Sequence, residues 1–265
     1  MVSNIAVALV GLSLFLSGMK MVSSSMKQMA SRQMRQMFAQ WAGNPVGGFI
    51  GGVFSGAIFQ SGSNTAFIMS SLVASGFIPI RNALPVIAAA NIGTAALVFL
   101  VAVIGDIKLI VMFFLAVAGI FNGLVKRDHW QHGMKALFGI GLLLYGFQTL
   151  QGGVKPLTQL EILNNFLAND IEIFLKAFIF GAIMRIITFS SSAVTMLVIM
   201  FTEIGMFGFG QAISMVYGGC VGAAIATYVL AGQLKGIARQ ISSFQTLFEL
   251  SAGIGLYSLF ILATL

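Results

Sequence analysis

Two hydroxyl-rich stretches, Gln60-Ser61-Gly62-Ser63-Asn64-Thr65 and Thr188-Phe189-Ser190-Ser191-Ser192, interrupt otherwise apolar parts of this 265-residue chain, and one ungapped register sets Ser61 on Ser190 and Ser63 on Ser192. The same register also superposes Phe49 on Phe178, Ile50 on Ile179, Gly52 on Gly181, Gly76 on Gly205, Ala83 on Ala212 and Gly93 on Gly222, among 11 identities between Phe49 and Ala102. Composition alone produces some apolar matches in a chain rich in Ala, Gly, Ile and Phe. It produces Ser61/Ser190 and Ser63/Ser192 in the same frame less readily. Further upstream, with the register shortened by a single position, Gly11 and Gly18 fall on Gly139 and Gly146. The chain therefore reads as two copies of one unit, residues 1–128 and 129–265.

With 58% hydrophobic residues, 8% charged residues and a mean hydropathy of +0.98, the chain cannot cover a globular surface with water-compatible side chains. It reads as an all-α polytopic membrane protein. The net charge of +7 does not point to nucleic acid, because the basic residues punctuate apolar runs and act as topology signals. A single cysteine, Cys220, rules out an intrachain disulfide and a thiolate metal cluster. The first apolar stretch, Ile5 to Met21, has no basic region before it and no small-residue cleavage pattern, so it reads as a spanning helix and not a signal peptide.

Apolar segments long enough to cross a bilayer, which takes roughly 20 residues, run from about Asn4 to Met21, Leu84 to Ile104, Ile107 to Val125, Ala136 to Gln151, Ala212 to Leu230 and Ile241 to Leu262. Two further apolar stretches, about 43–78 and 173–207, are broken halfway by the serine clusters. Each is expected to enter the membrane, turn at the serines and leave on the same side, since irregular backbone at depth is tolerated only where protein or a water-filled cavity satisfies it. The expected architecture is two inverted-topology repeats, each with three spanning helices and one re-entrant helical hairpin. Met21 to Phe38 is expected to form an amphipathic interfacial helix.

Charge placement gives an orientation. Lys20, Lys27, Arg32 and Arg35, then Lys126, Arg127 and Lys135, then Lys235 and Arg239, all fall on one side of this topology. The other side collects a balanced set: Asp106, Lys108, Lys155, Glu161, Asp170, Glu172 and Lys176. The positive-inside rule makes the first side cytoplasmic and leaves both termini outside the cell membrane. An odd number of crossings per copy turns the second copy over, the pattern that builds a site at the midplane between two broken helices.

The hairpin tips hold no nucleophile with a base beside it, so no catalytic residue, enzyme activity or cofactor is expected. They do hold neutral donors and acceptors suited to an oxyanion or to Na+. Gln60, Ser61, Gly62, Ser63, Asn64 and Thr65, with Thr188, Ser190, Ser191 and Ser192, are the candidate substrate-binding residues. Asn91 and Thr94, in Ala90-Asn91-Ile92-Gly93-Thr94, suggest a helix break with free carbonyls suited to a cation. The corresponding Gly219-Cys220-Val221-Gly222-Ala223 keeps the glycine and lacks both polar side chains. Among intramembrane charges, Arg185 is expected to face an anion and Glu249 to bind a cation or proton; an Arg185–Glu249 ion pair is the alternative, and Glu203 belongs near the outer surface. No metal site is expected beyond Na+.

These residues resemble a known family. Gln60-Ser61-Gly62-Ser63 with Ala90-Asn91-Ile92-Gly93-Thr94, and Phe189-Ser190-Ser191-Ser192-Ala193 with Gly219-Cys220-Val221-Gly222-Ala223, are similar to the duplicated Gln-Ser-Ser-Ser and Gly-Ala-Asn-Ile-Gly-Thr signatures of the sodium-dependent phosphate cotransporters, the type II Na/Pi group and its bacterial relatives. The resemblance covers nearly the whole chain. It implies that Gln60, Ser61, Ser63, Ser190, Ser191 and Ser192 surround phosphate and Na+, with Asn91 and Thr94 at the cation. Gly62 stands where the family has serine, Phe189 where it has the second glutamine, and Cys220 and Ala223 where it has the second asparagine and threonine. Bacterial relatives often carry a soluble helical domain after the membrane part. This sequence ends at Leu265, so that domain is either absent or lies outside it.

The expected function is Na+-coupled symport of inorganic phosphate or a related small anion, directed inward, in a lipid bilayer, with a homodimer allowed. The alternative is a non-transporting membrane subunit of the same fold that binds a lipid phosphate or a partner protein.

Overall fold

The computed structural model describes residues 2–29, 40–41, 43–96, 98–99, 107–122, 128–156, 171–232 and 234–264. Among them are ten α-helices and no strand: α1 Val2–Met29, α2 Pro45–Phe59, α3 Gly62–Ala74, α4 Ile80–Gly93, α5 Ile107–Asn122, α6 Asp128–Val154, α7 Ile171–Thr188, α8 Ser191–Glu203, α9 Phe209–Ala231 and α10 Ile237–Thr264. The starts follow local chemistry. Asn44 caps α2 by accepting from the Gly47 amide at 2.6 Å, with Pro45 in the first helical position where its missing N–H costs nothing. Inside α4, Pro85 removes one intrahelical bond.

Four described helices are long and apolar enough to cross a membrane: Val2–Ser25, Gln131–Val154, Phe209–Ala231 and Ile237–Thr264. The expected crossings Leu84 to Ile104 and Ile107 to Val125 correspond to α4 and α5, of 14 and 16 residues; residues 100–106 and 123–127 lie outside the described part. One expectation is corrected. No new helix begins at Met21, because neither glycine nor proline interrupts Val22 to Met29 and α1 runs through unbroken; residues 30–38 are not described. The charges at Arg32, Arg35, Asp106, Lys126, Arg127, Glu161 and Asp170 also lie outside the described residues.

The chain divides into two compact units. The first comprises Met1–Ala30, Leu100–Asn169 and Ile199–Gly208. In it α1 lies along α6, and α5 packs on α6. A Cβ added at Gly11, Gly18, Gly146 or Gly153 would overlap backbone of the opposing helix. Hydrogen alone fits there, which lets the two helices touch along their lengths. Phe15, Met19 and Val22 of α1 are buried, as are Leu143, Phe147 and Leu150 of α6. Glu203 is exposed and accepts a hydrogen bond from Gln151 at 3.0 Å.

The second unit comprises Ser31–Phe99, Asp170–Val198 and Phe209–Leu265. Here α2 packs on α4, α7 on α9, α9 on α10, and α3 on both α4 and α10. The two helix crossings repeat in detail. Cβ atoms at Gly52 and Gly93 would meet the carbonyls of Val86 and Val53; at the positions the same sequence register pairs with them, those at Gly181 and Gly222 would meet the carbonyls of Met215 and Ala182. The outer faces are apolar. Leu175, Ile179, Ile183 and Ile187, four residues apart on α7, are 47–61% exposed, and Phe49, Ile50 and Phe54 form a similar face on α2. Such faces suit hydrocarbon and not water.

Candidate functional site

The site begins at a strained turn. Gln60 ends α2 in the left-handed region, φ 51° and ψ 30°, with its amide donating to the Gly56 carbonyl at 2.8 Å. Ser61 then takes an extended conformation and caps α3, its Oγ accepting from the Asn64 amide at 3.3 Å. The same geometry recurs at the second serine cluster. Phe189 has φ 52°, its amide donates to the Arg185 carbonyl at 2.9 Å, and Ser190 Oγ accepts from the Ala193 amide at 3.4 Å. Both helical pairs also end alike, at Gly76 with φ 75° and Gly205 with φ 74°. A non-glycine left-handed residue costs on the order of 1–3 kcal/mol, and such strain clusters at functional positions.

Ser192, one residue inside α8 and 1% exposed, joins the two serine clusters. Its Oγ is 2.7 Å from Gln60 Oε1 and 3.1 Å from the Thr94 carbonyl oxygen. One hydroxyl proton serves these two acceptors in turn. The Thr94 carbonyl is available there because α4 ends at Gly93, with Thr94 as its C-cap, which is the break the sequence suggested. Thr94 Oγ1 in turn donates to the Asn91 carbonyl at 2.7 Å.

A second chain of polar contacts runs from the first hairpin into α9 and α10. Ser63 Oγ lies 2.7 Å from Thr227 Oγ1, and Thr227 donates to Glu249 Oε2 at 3.3 Å. Gln245 Nε2 reaches Glu249 Oε1 at 2.7 Å and Asn91 Oδ1 at 3.1 Å. Asn91 Nδ2 answers with Gln245 Oε1 at 3.4 Å and the Ile87 carbonyl at 3.1 Å. Gln245, Thr227 and Glu249 are all buried. Gly62 makes the Asn91–Gln245 pairing sterically feasible, since a Cβ there would collide with Asn91 Oδ1 and stand 2.8 Å from Gln245 Nε2.

Arg185, one turn before Phe189, is 3% exposed. It makes no ion pair among the described residues, and its Nε is buried without a hydrogen-bond partner. Glu249 and Cys220 are the titratable groups within its electrostatic reach. Burying a guanidinium without a paired counter-charge is costly, and an ionisable group at depth is by default a candidate for function.

The structure thus brings together Gln60, Ser63, Asn91, Thr94, Ser192 and Glu249, with Gly62 in the packing and Arg185 in electrostatic range. Ser61 and Ser190 are caps. Thr65 is buried and hydrogen-bonds Ser55 at 3.2 Å, between α2 and α3. Thr188 Oγ1 accepts from the Ser190 amide at 3.4 Å. Asn64 and Ser191 are half-buried in the first turns of α3 and α8, the Ser191 carbonyl accepting from Thr195. Two members were not singled out from the sequence, Thr227 and Gln245. The available signal was Gln245 four residues before Glu249, a polar pair on one face of an apolar helix. Among the described residues no three His, Cys, Asp or Glu side chains are grouped to hold a metal. The hydroxyls, amides, carbonyl and carboxylate form a largely buried, oxygen-rich cluster suited to coordinating a small ion.

The sequence profile of the Na+/Pi-cotransporter family matches residues 14–152 and again residues 142–261. YqeW, an uncharacterized protein of Bacillus subtilis (strain 168), is 26% identical over 233 residues, covering 87% of this chain and 74% of its own length. The Escherichia coli (strain K12) protein named "Putative inorganic phosphate export protein YjbB" is 26% identical over 205 residues, and the Salmonella typhimurium protein of that name matches equally. Those matches cover 76% of this chain and 37% of the YjbB length, so the chain spans little more than a third of those relatives. No solved structure matches significantly. With two profile matches that together cover most of the sequence, a helical membrane architecture and paired serine turns, the chain belongs to the Na+/Pi-cotransporter family.

Proposed function

We propose that this protein is a secondary carrier of inorganic phosphate coupled to Na+. The observation that carries the reading is the buried meeting of Gln60, Ser192 and the Thr94 carbonyl beside the Ser63–Thr227–Glu249–Gln245–Asn91 chain, with buried Arg185, its Nε without a hydrogen-bond partner, in range. In this reading Arg185 and the hydroxyls of Ser63 and Ser192 bind the anion, while Glu249, Asn91 and the Thr94 region bind Na+. A bound cation lowers the electrostatic cost of a buried anion and couples its movement to the Na+ gradient.

The α2–α3 and α7–α8 turns are the tips of two re-entrant hairpins that enter a cell membrane from opposite faces, a reading supported by the recurrence of their geometry in one sequence register. Residues 1–128 and 129–265 are then inverted halves, and both termini are extracellular. Alternating access exposes the cluster first through one hairpin and then through the other. Lipids surround the apolar faces of α2 and α7.

Direction follows the net driving force. The function expected from the sequence was uptake, whereas the YjbB proteins are named for export. Purified protein in liposomes, with radiolabelled phosphate and a Na+ gradient imposed first inward and then outward, tests both. Phosphate accumulation that follows the Na+ gradient is the expected result; transport indifferent to the gradient removes the coupling. The absence of movement from correctly inserted protein favours the non-transporting subunit, a reading drawn from Phe189, Cys220 and Ala223, which stand where the first copy has Gln60, Asn91 and Thr94.

A further inference from the structure

Resting on the cation-coupled reading above, we infer that Arg185 is a built-in cation: its fixed charge takes the place, in the second copy, of the mobile cation that Asn91 and Thr94 bind in the first, so that the protein carries one coupling-ion site fewer than a carrier with two intact copies.

The argument is positional. In the register that sets Ser61 on Ser190, Gly56, Asn91 and Thr94 correspond to Arg185, Cys220 and Ala223. In the first copy a side chain at Gly56 is impossible, since even a Cβ would overlap the Ala90 carbonyl. Oxygen ligands are available nearby instead, on Asn91 and at the end of α4. In the second copy those oxygens are gone, because neither a thiol nor a methyl group coordinates Na+. Gly222 leaves room for Arg185, since a Cβ there would stand 2.9 Å from Arg185 Cβ. Cys220, at the position of the lost asparagine, and Glu249 lie within range of the Arg185 charge.

The charge count agrees with this substitution. Arginine holds its proton under all physiological conditions, so it supplies a permanent positive charge where a Na+ site would supply one only when filled. A buried anion is stabilised either way. The difference is thermodynamic: a fixed cation does not cross the membrane and draws no energy from the Na+ gradient.

The test rebuilds the first copy's chemistry in the second with the triple variant Arg185→Gly/Cys220→Asn/Ala223→Thr. In proteoliposomes, the Na+ dependence of phosphate uptake is expected to become one power steeper than in the wild type. An unchanged steepness with uptake retained overturns the inference and leaves the carrier reading intact. Wild-type uptake that ignores Na+ removes the coupling reading. In that case a triple variant that acquires Na+ dependence still supports the inference, and one that acquires none overturns it. Should the triple variant fail to fold or to transport, Arg185→Met and Arg185→Lys decide, scored by phosphate-induced thermal stabilisation in detergent. Lys is expected to keep the stabilisation and Met to lose it at every Na+ concentration. Equal stabilisation of the two overturns the fixed-charge role.

Discussion

At the scale of single residues the site depends on a few side chains that each hold two partners. Ser192→Ala removes the hydroxyl shared by Gln60 and Thr94, and Ser63→Ala the one that leads through Thr227 to Glu249. A neutral hydrogen bond contributes about 1 kcal/mol net, so each substitution should raise the phosphate concentration for half-maximal uptake by about fivefold. Circular dichroism should show helix content unchanged. Arg185→Ala should act on charge, weakening phosphate far more than any neutral ligand; an equal loss for both would deny it contact with the anion. Arg185 and Glu249 stood out in the sequence because a charge in an apolar run is conspicuous. Thr227 and Gln245 did not, because a lone hydroxyl or amide in a membrane helix usually serves as helix–helix glue, and their partners lie 164 and 154 residues away. Only folding brings those partners together.

At the scale of elements, glycine has two separable jobs, and substitution distinguishes them. Gly56→Ala forces a methyl group into the Ala90 backbone, and overpacking of this kind costs about 1–3 kcal/mol or more. Gly76→Ala meets nothing within 4 Å, so only the left-handed backbone, at φ 75°, opposes it, at a cost of about 1–2 kcal/mol. Thermal denaturation in detergent should rank Gly56→Ala as the more damaging, and only that variant should separate α2 from α4. The breaks at Gln60–Ser61 and Phe189–Ser190 were legible because capping serines in an apolar run have few other uses. The end of α4 was legible through Asn91-Ile92-Gly93-Thr94. The continuation of α1 to Met29 was not, since a change from apolar to amphipathic composition looks like a boundary even where no residue stops the helix.

At the scale of the molecule, composition alone made this a membrane protein, and its exposed faces on α2 and α7 agree. Orientation is a matter for chemistry from outside. In a Cys220→Ala background, Gln28→Cys at the exposed end of α1 should react with an impermeant maleimide only when the cytoplasmic face is open; labelling in intact cells would invert the proposed topology. The twin turns have a consequence for how such a protein diversifies. Gln60 and Phe189 share a backbone shape held by a helix-closing amide and a neighbouring serine, neither of which draws on their own side chains. Phe189 is also 57% exposed. A mutation at Phe189 is therefore free to alter which cargo is preferred while leaving the folding problem already solved, and Phe189→Gln should melt within about 1 kcal/mol of the parent. The chain thus holds two turns of one backbone shape, and of the two only Gln60 bears a side-chain amide.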